Sequence, residues 1–303
     1  FVSHIHHDSY DINHKPLNFI HQPCDEQQKD TYTMVFRNAR GLHINLPDIL
    51  DSHADLQLIS EADIPEHEVA NVAADCNEIG CTLNLGKSTI LSKKTKTRIG
   101  RRVATISRGT QANVMKSHEW TSELDFLRDT GRWFEAVIPT STQGFTITVA
   151  IIYGYSGASS CTKEYNENER LLSAALRRAR HFKDVPYIIG GDFNINVDAS
   201  KVLKLAKQAQ WFTDLAEVWA KPGTKPAATY RLGSVEQGME GSGTTCIDAV
   251  LANDLAKHLV QDFRYAWDLS IGYDHVPLSL TLNMKAFTQT IKVVNQPEHI
   301  DIA

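Results

Sequence analysis

The stretch "IIGGDFNIN", Ile188 to Asn196, begins with apolar residues, passes two glycines and ends in polar groups. The apolar start, preceded by "VPY", is typical of a buried strand. Asp192 and Asn194 lie two residues apart, so on an extended chain their side chains face the same side. The glycines allow a backbone or a ligand to approach closely. The pair is therefore interpreted either as turn formers or as part of a functional site at a strand end.

Polar groups also stand at the ends of the other predicted strands. Glu61 follows "DLQLIS", Tyr153 closes "TVAII", and Asp248 interrupts "CIDAVL". Asp274 and His275 precede "VPLSL". Each residue alone has an ordinary explanation as a cap, a turn former or a core side chain. Together they would gather carboxylates, an amide, a phenol and a histidine at one edge of a sheet core. Oxygen-rich clusters suit Mg²⁺ or Mn²⁺ rather than zinc, and such sites usually serve phosphate chemistry.

Helix-like segments alternate with the strands, which indicates an α/β fold. Apolar residues recur at helical spacing between Glu164 and Lys183. Further helices are predicted at "LPDILDSHA" (46–54) and "PEHEVANVAADCNEIG" (65–80), with a helix or loop around 119–129. Strands are predicted at "TYTMVFRNARGL" (31–42), which runs into a turn at 38–41, and at "RRVATISR" (101–108) and "GFTITVAIIYGY" (144–155). No repeat or clear linker interrupts the chain. Residues 31–286 are therefore predicted to form one domain, between a polar, His-rich arm (1–30) and a C-terminal tail (287–303).

Composition narrows the class of protein. The chain has 303 residues, 42% of them hydrophobic and 22% charged, which is typical of a globular domain with a sizeable core. No window reaches the roughly 18 consecutive apolar residues of a membrane span, so no membrane association is expected. Five scattered cysteines without a C-x-x-C pair exclude a disulfide framework and a zinc ribbon. Reduced thiols indicate an intracellular setting, nuclear or cytoplasmic.

The charge is strongly segregated along the chain. The formal net charge is -5, yet the stretch from Ile79 to His118 contains no Asp or Glu. Its nine basic residues are Lys87, Lys93, Lys94, Lys96, Arg98, Arg101, Arg102, Arg108 and Lys116, so the rest of the chain carries -14. Such a run is either a solvated loop or a surface that follows a phosphate backbone.

Four motifs, "DLQLISE" (55–61), "GGDFNIN" (190–196), "CIDAVLAN" (246–253) and "YDHVP" (273–277), resemble those of the endonuclease/exonuclease/phosphatase superfamily. This group includes deoxyribonuclease I and the apurinic endonucleases. The resemblance extends over nearly all of 31–286. It implies a four-layered α/β sandwich, in which two packed, mostly antiparallel β-sheets are flanked by helices, and metal-dependent cleavage of phosphate esters. "INVDAS" (195–200) and "YGYSG" (153–157) look most like the endonuclease domains of non-LTR retroelement reverse transcriptases.

The resemblance also implies a role for each matched residue of the cluster. Asp192 would orient or deprotonate the attacking water, and Asn194 would flank the scissile phosphate beside it. His275 would contact the phosphate or transfer a proton, with its ring oriented by Asp248. Tyr153 would donate a hydrogen bond to a phosphate oxygen.

The metal site implied by the resemblance lies beside these residues. Glu61 would hold Mg²⁺ or Mn²⁺, helped by Asn38 and Asp274. Arg40 stands where the apurinic and retroelement proteins usually carry an acid or an amide, as it does in deoxyribonuclease I, and it is a candidate nucleic-acid contact. Ser156 replaces a frequent Asn or His. The remaining candidate nucleic-acid contacts are Lys93, Lys94, Lys96, Arg98, Arg101 and Arg102.

Three functions remain open at this stage. The first is an endonuclease, with DNA preferred over RNA, which would act as the nicking domain of a retroelement polyprotein. The second is a phosphatase or phosphodiesterase of a lipid or other small molecule, which would share the same site residues. The third is a non-catalytic nucleic-acid-binding module, which Arg40 and Ser156 keep open. The oligomeric state is left undetermined.

Overall fold

The computed structural model of the chain describes residues 30–91, 99–109, 113–114, 121–140, 145–220, 225–231, 244–270 and 273–285. The predicted arm, except for residue 30, and the predicted tail lie outside these residues. The domain boundaries at 31 and 286 therefore stay a prediction.

The strands begin and end close to the polar residues singled out above. They are β1 (Thr31–Asn38), β2 (Leu56–Ser60), β3 (Ile64–Pro65), β4 (Cys81–Leu85), β5 (Ser88–Ile90), β6 (Ile99–Arg101), β7 (Ala104–Arg108), β8 (Asn113–Val114), β9 (Trp133–Pro139), β10 (Thr146–Tyr153), β11 (Tyr187–Asp192), β12 (Thr213–Asp214), β13 (Asp248–Ala252), β14 (Val260–Tyr265) and β15 (Leu278–Asn283). The helices are α1 (Leu42–Leu50), α2 (Val69–Glu78), α3 (Ser122–Asp129), α4 (Thr162–His181), α5 (Lys201–Gln208), α6 (Leu215–Trp219) and α7 (Asp254–Lys257), with 3-10 turns at Glu66–Glu68 and Trp267–Leu269.

Two six-stranded sheets form the centre of the fold. The first has the order β14-β15-β1-β2-β7-β4 and the second β12-β13-β11-β10-β9-β8. Neighbouring strands are antiparallel except for one central pair in each sheet, β1 with β2 and β10 with β11. A small third sheet has the order β3-β6-β5.

Three apolar clusters separate four layers, as the resemblance implied. Met34, Phe36 and Leu280 of the first sheet meet Ile151, Ile188 and Val250 of the second in the central core. α1 and α2 cover the outer face of the first sheet, and α3, α4 and α5 cover the outer face of the second. The predicted α/β sandwich of two mostly antiparallel sheets flanked by helices is confirmed.

The parallel pairs determine where polar side chains gather. Parallel strands bring their carboxyl ends to the same edge of a sheet. Asn38 ends β1, Glu61 follows β2, Tyr153 ends β10 and Asp192 ends β11. The two pairs also pack against each other across the central core. Four strand ends from two sheets therefore meet at one edge of the sandwich.

Gly190 sets the spacing between the two sheets next to that edge. A Cβ placed at Gly190 would lie 2.4 Å from Cδ1 of Phe36 in the opposite sheet. Gly191 has a φ of 134°, and a Cβ there would lie 2.2 Å from the carbonyl oxygen of Ile152. The close approach expected at these glycines is therefore made by an aromatic ring and by the neighbouring strand.

Several element boundaries differ from the sequence-based expectations. "RRVATISR" was expected to be one strand, but it divides into the end of β6 and all of β7, because the chain leaves the third sheet after Arg101 and enters the first at Ala104. Pro65 was expected to begin a helix. It instead ends β3 and precedes a 3-10 turn, and α2 begins only at Val69. α1 begins at Leu42, four residues before the expected start.

Two further observations concern the expectations about membrane spans and disulfides. None of the helices in the described segments is both long enough and apolar enough to cross a membrane. Among the described cysteines, Cys76, Cys81, Cys161 and Cys246 are free thiols.

Candidate active site

A chain of close polar contacts crosses the gap between the two sheets at the shared edge. His275 Nδ1 lies 2.9 Å from Asp248 Oδ2. His275 Nε2 lies 3.4 Å from Asn38 Nδ2, and the same Asn38 amide donates to Asp192 Oδ2 at 3.1 Å. All four side chains are buried. The structure therefore brings together residues that are up to 237 positions apart in the sequence.

The end of β11 holds Asp192 and Asn194 in the arrangement expected from their spacing. The backbone N–H of Asn194 donates to Asp192 Oδ1 at 2.8 Å, and its Nδ2 donates to Oδ2 at 3.0 Å. Asn194 adopts a φ of 53°, in the left-handed region that Asn tolerates better than most residues. The turn after β11 is therefore the part of the chain that holds Asn194 against Asp192.

The protonation of the cluster follows from burial and from mutual charge. Burial is the largest cause that raises the pKa of Asp192, and the Asp248 carboxylate raises it further, against the opposing charge of His275. For His275, burial lowers the pKa, but the charge and the hydrogen bond of Asp248, with smaller effects of Asp192 and Asp274, raise it to about 10. At neutral pH, the protonated His275 therefore pairs with Asp248, beside Asp192, whose pKa is raised.

Glu61 and Asp274 add carboxylates on the side of the first sheet. Burial raises the pKa of Glu61, the Asn38 amide opposes this shift, and the charges of Asp63 and Asp274 add to it. Asp274 Oδ2 lies 3.5 Å from a guanidinium nitrogen of the half-exposed Arg40. Oδ1 of Asp274 is buried and has no hydrogen-bond partner among the described residues. A buried acid with a raised pKa and a buried carboxylate oxygen without a hydrogen-bond partner among the described residues are both typical of a site that binds a cation.

The donor set fits a hard divalent cation. Glu61, Asp274 and Asn38 supply only side-chain oxygens as ligands. A second group, Asp192, Asp248 and His275, has one ligand atom from each residue within 4.8 Å of the others. Because Nδ1 of His275 already binds Asp248, we consider this second group less suited to a cation than the carboxylates of the first sheet.

Tyr153 and Ser156 line the same edge from β10 and the turn after it. The Tyr153 hydroxyl lies 3.4 Å from Ser156 Oγ. Burial, followed by the charge of Glu61, raises the pKa of Tyr153, so the phenol stays protonated and able to donate. Arg132 lies behind it: its Nη1 donates to the carbonyls of Tyr153 at 3.1 Å and of Gly154 at 2.6 Å.

Four of the nine basic residues in the stretch from Ile79 to His118 donate hydrogen bonds to partners within the protein. Arg101 donates to Glu66 at 2.7 Å and to the carbonyl of Gly86 at 3.0 Å. Arg102 is buried and donates to the carbonyls of Ile90 and Leu91. Lys87 and Arg108 also have partners within the protein, Asp129 and the carbonyl of Leu50. The other basic residues of the stretch, Lys93, Lys94, Lys96, Arg98 and Lys116, lie outside the described residues. Nucleic-acid contacts by this stretch stay a prediction.

Three residues near the site were missed in the sequence. Thr229 Oγ1 accepts hydrogen bonds from the backbone N–H groups of Ile247 and Asp248, at 3.2 and 3.1 Å, and its carbonyl accepts from Val276. Thr229 therefore joins the segments that carry Asp248 and His275, but it lies in an irregular segment without a sequence signal.

Arg132 and Asn168 are the other two. Asn168 had a signal, because it lies four residues before Leu172 on the apolar stripe of α4, where a polar side chain is unexpected.

Several solved structures share the fold of this chain. LMAP, an AP endonuclease from Leishmania major, has a TM-score of 0.62 at 14% identity and covers 88% of this chain and 92% of its own. The 3′ phosphatase NExo from Neisseria, bound to product DNA hairpin, has a TM-score of 0.57 at 17% identity, over 82% of this chain and 98% of its own. The endonuclease domain of TRAS1, a telomere-specific non-LTR retrotransposon, has a TM-score of 0.54 at 13% identity, over 84% of this chain and 99% of its own.

These similarities confirm the predicted fold, a deoxyribonuclease I-like α/β sandwich. At identities this low they establish the fold alone. No family model matches the sequence, and no curated protein matches it.

Proposed function

We propose that this chain is a divalent-metal-dependent phosphodiesterase that cleaves the backbone of nucleic acid as an endonuclease, with DNA as the preferred substrate. One observation carries the proposal: the buried chain of contacts from Asp248 through His275 and Asn38 to Asp192, at the edge where four strands end. This arrangement holds a base, a proton donor and hydrogen-bond donors within reach of one small group.

Each residue has a distinct task in the proposed reaction. Asp192, with its raised pKa, accepts a proton from the attacking water. His275, protonated beside Asp248, places positive charge next to the phosphate and can donate a proton to the leaving oxygen. Tyr153 donates a hydrogen bond to a phosphate oxygen, on which negative charge develops, and Asn194 flanks the phosphate while it holds Asp192.

Glu61, Asp274 and the Asn38 amide would hold Mg²⁺ or Mn²⁺. A cation bound there supplies positive charge to the phosphate as negative charge builds up. Arg40 contributes a second positive charge at the same side of the site, since it pairs with Asp274 while remaining half exposed.

The finer assignments rest on the comparisons and on the thiols. The likeness to the TRAS1 endonuclease domain supports a role as the nicking domain of a retroelement polyprotein, and the NExo structure with product DNA supports DNA as substrate. The free thiols favour a reducing compartment, nuclear or cytoplasmic.

One observation favours a second candidate, a phosphatase or phosphodiesterase of a small or lipid ester. Arg101 and Arg102 use their guanidinium groups inside the protein, which removes two charges from the expected nucleic-acid surface. The site residues serve either substrate equally well.

A plasmid-nicking assay tests the proposal. Supercoiled plasmid is incubated with the protein and Mg²⁺, with Mn²⁺, or with EDTA, and a small phosphate diester is tested in parallel. We expect nicking that needs the cation and is lost in His275→Ala but kept in His258→Ala, a matched change of an exposed histidine. Glu61→Gln should abolish the response to Mg²⁺, whereas Glu78→Gln, at an exposed glutamate, should not.

The outcomes separate the candidates. Hydrolysis of the small ester without nicking would favour the second candidate. Binding of DNA without hydrolysis of either substrate would favour a non-catalytic module. Nicking that persists in EDTA or in His275→Ala would contradict the proposed site.

Salt dependence tests the basic stretch separately. If Lys93, Lys94 and Lys96 contact phosphates, changing all three to Gln should reduce the slope of log affinity against log salt by up to about 2.7 on duplex DNA. The same change at Lys163, Lys201 and Lys204, exposed lysines on α4 and α5, should leave the slope unchanged. Equal slopes in both triple variants would show that the stretch is a solvated loop.

A further inference from the structure

Asn168 of α4 joins the two segments that carry the catalytic side chains of the second sheet. Its Oδ1 accepts a hydrogen bond from the backbone N–H of Tyr155 at 2.9 Å, and its Nδ2 donates to the carbonyl of Phe193 at 2.9 Å. The side chain is fully buried. One amide therefore connects the turn after β10 with the turn after β11.

The two segments are in direct contact, and their fit is tight. The backbone N–H of Gly154 donates to the carbonyl of Asp192 at 2.7 Å, and Asn194 Nδ2 donates to the carbonyl of Gly154 at 3.3 Å. A Cβ at Gly154 would lie 2.1 Å from the carbonyl oxygen of Phe193. A small shift of either segment would therefore move the other.

The bond to Phe193 acts on a strained part of the chain. The carbonyl of Phe193 belongs to the peptide plane that leads into Asn194, and Asn194 has a φ of 53°. Fixing this plane favours the left-handed conformation that directs Asn194 towards Asp192. The bond to Tyr155 fixes the Gly154–Tyr155 peptide, which lies between Tyr153 and Ser156, in the same way.

We propose that Asn168 is a positioning residue, which sets Asp192 and Asn194 relative to Tyr153 by holding both turns through one amide group. This inference rests on the function proposed above. Asn168 reaches no substrate itself. Its contribution is the geometry of the groups that do, and a displacement of about 1 Å in such groups can cost about 10²-fold in rate.

Two variants test the proposal. Asn168→Asp keeps the acceptor for Tyr155 but places a carboxylate against the carbonyl of Phe193. We expect kcat to fall roughly 10²-fold near pH 8, with KM changed only a few-fold. Because a protonated carboxyl can donate to that carbonyl, the kcat ratio of variant to parent should recover as the pH falls. Asn168→Ser, which removes both bonds without adding a charge, should lose activity at every pH.

Matched controls separate positioning from stability. Asn166→Asp makes the same change at an exposed position of α4 and should keep full activity. Leu171→Ala removes buried apolar atoms from the same helix and should lower the melting temperature without changing kcat. If Asn168→Ser and Asn168→Asp lose no more kcat than Leu171→Ala at a temperature where all are folded, Asn168 is not a positioning residue.

Amide hydrogen exchange makes the test independent of the activity. Exchange at the N–H groups of Tyr155 and Asn194 should be faster in Asn168→Ser than in the parent, with α4 itself still protected. If the parent hydrolyses no phosphate ester but exchange is still faster in Asn168→Ser than in the parent, the proposed function is refuted, while the joining of the two turns by Asn168 is supported. If exchange at both amides is the same in Asn168→Ser and in the parent, Asn168 does not hold the two turns.

Discussion

The two ends of β11 carry buried polar clusters of opposite character. At its first residue, the Tyr187 hydroxyl donates to Glu135 Oε2 at 2.7 Å, and Arg178 pairs with both oxygens of Glu135, at 3.1 and 2.8 Å. We call these three residues the closed triad. At its last residue, Asp192 meets Asp248, His275 and Asn38, which we call the site cluster.

The clusters are equally buried but differ in charge balance. The closed triad pairs one guanidinium with one carboxylate, and both carboxylate oxygens have partners. The site cluster has two carboxylates for one imidazolium, and Glu61 and Asp274 add two more acids beside it. A satisfied cluster destabilises the fold only when one of its partners is removed, whereas an unbalanced cluster keeps binding capacity for a ligand. This contrast distinguishes the proposed functional end of β11, at Asp192, from the opposite end at Tyr187.

The largest expected effect comes from neutralising an acid of the site cluster. Asp192→Asn removes the proposed base and should lower kcat by roughly 10³-fold or more. It should not reduce the free energy of unfolding in EDTA, because it also removes a like-charge repulsion. Asp214→Asn is the matched control, a buried acid that caps α6 away from the site. If Asp192→Asn lost both activity and unfolding free energy, the stability of the fold would depend on the partners in the site cluster as it does in the closed triad, and the proposed difference between the two clusters would be wrong.

The next effect tests whether the site cluster acts as a unit. Asp248→Asn and His275→Ala should each lower kcat by about 10² to 10³-fold, and the double variant should be scarcely slower than His275→Ala. The reason is that Asp248 acts through the imidazole ring at 2.9 Å. Single-turnover rates of the four proteins measure the coupling. Multiplicative losses would show two separate tasks.

Breaking the closed triad should lower the stability of the protein and leave its activity unchanged. Glu135→Gln leaves the Arg178 guanidinium buried without its counter-charge, which should cost about 3 kcal/mol of unfolding free energy. The kcat of the folded protein should not change. Combining Glu135→Met with Arg178→Met should recover much of the stability, since a buried ion pair contributes little over apolar side chains. Denaturant titration and kcat at low temperature measure both quantities. A fall in kcat in folded Glu135→Gln would show that the triad also serves the site.

The smallest effect is a pH dependence of stability. Since burial raises the folded-state pKa of Asp192 above its unfolded value, ionisation of Asp192 opposes folding. This cost is absent below the unfolded pKa near 4 and grows as the pH rises through the folded pKa. The unfolding free energy of Asp192→Asn relative to the parent, measured in EDTA, should therefore increase between about pH 4 and 8 by on the order of 1 kcal/mol. A difference independent of pH would contradict the raised pKa.

Asp192, Asp248 and His275 could be singled out as candidate site residues because each stands at the start, the end or an interruption of an apolar strand pattern, whereas Asn38 was singled out only through the family resemblance. A carboxylate after "YIIGG" or inside "CIDAVL" is noticeable in the sequence, and the parallel strand pairs bring such positions together. The closed triad gave no comparable signal. Glu135 lies in a strand that was not predicted, and its partner Arg178 lies in α4 among other charged residues.

The basic stretch illustrates the opposite limit. Its charge was evident from the sequence, but the partners of its arginines were not. Arg101 donates to Glu66, and Arg102 donates to the carbonyls of Ile90 and Leu91. These partners come close to the arginines only because the third sheet forms. Local composition does not report such long-range pairings. Thr229 was missed for the same reason, because its role depends on two segments that are distant in the chain.

The place of β15 in the first sheet has a consequence for protein synthesis. β15 pairs with β1, near the other end of the described chain, and His275 lies just before β15. A ribosome releases the chain from its N-terminal side, so Glu61, Asp192 and Asp248 all emerge before His275. Until β15 has followed, β1 lacks one of its two neighbours and the imidazole has not reached the cluster. The proposed site is therefore completed only after the segment from His275 through β15 has emerged, later than the other residues of the site cluster.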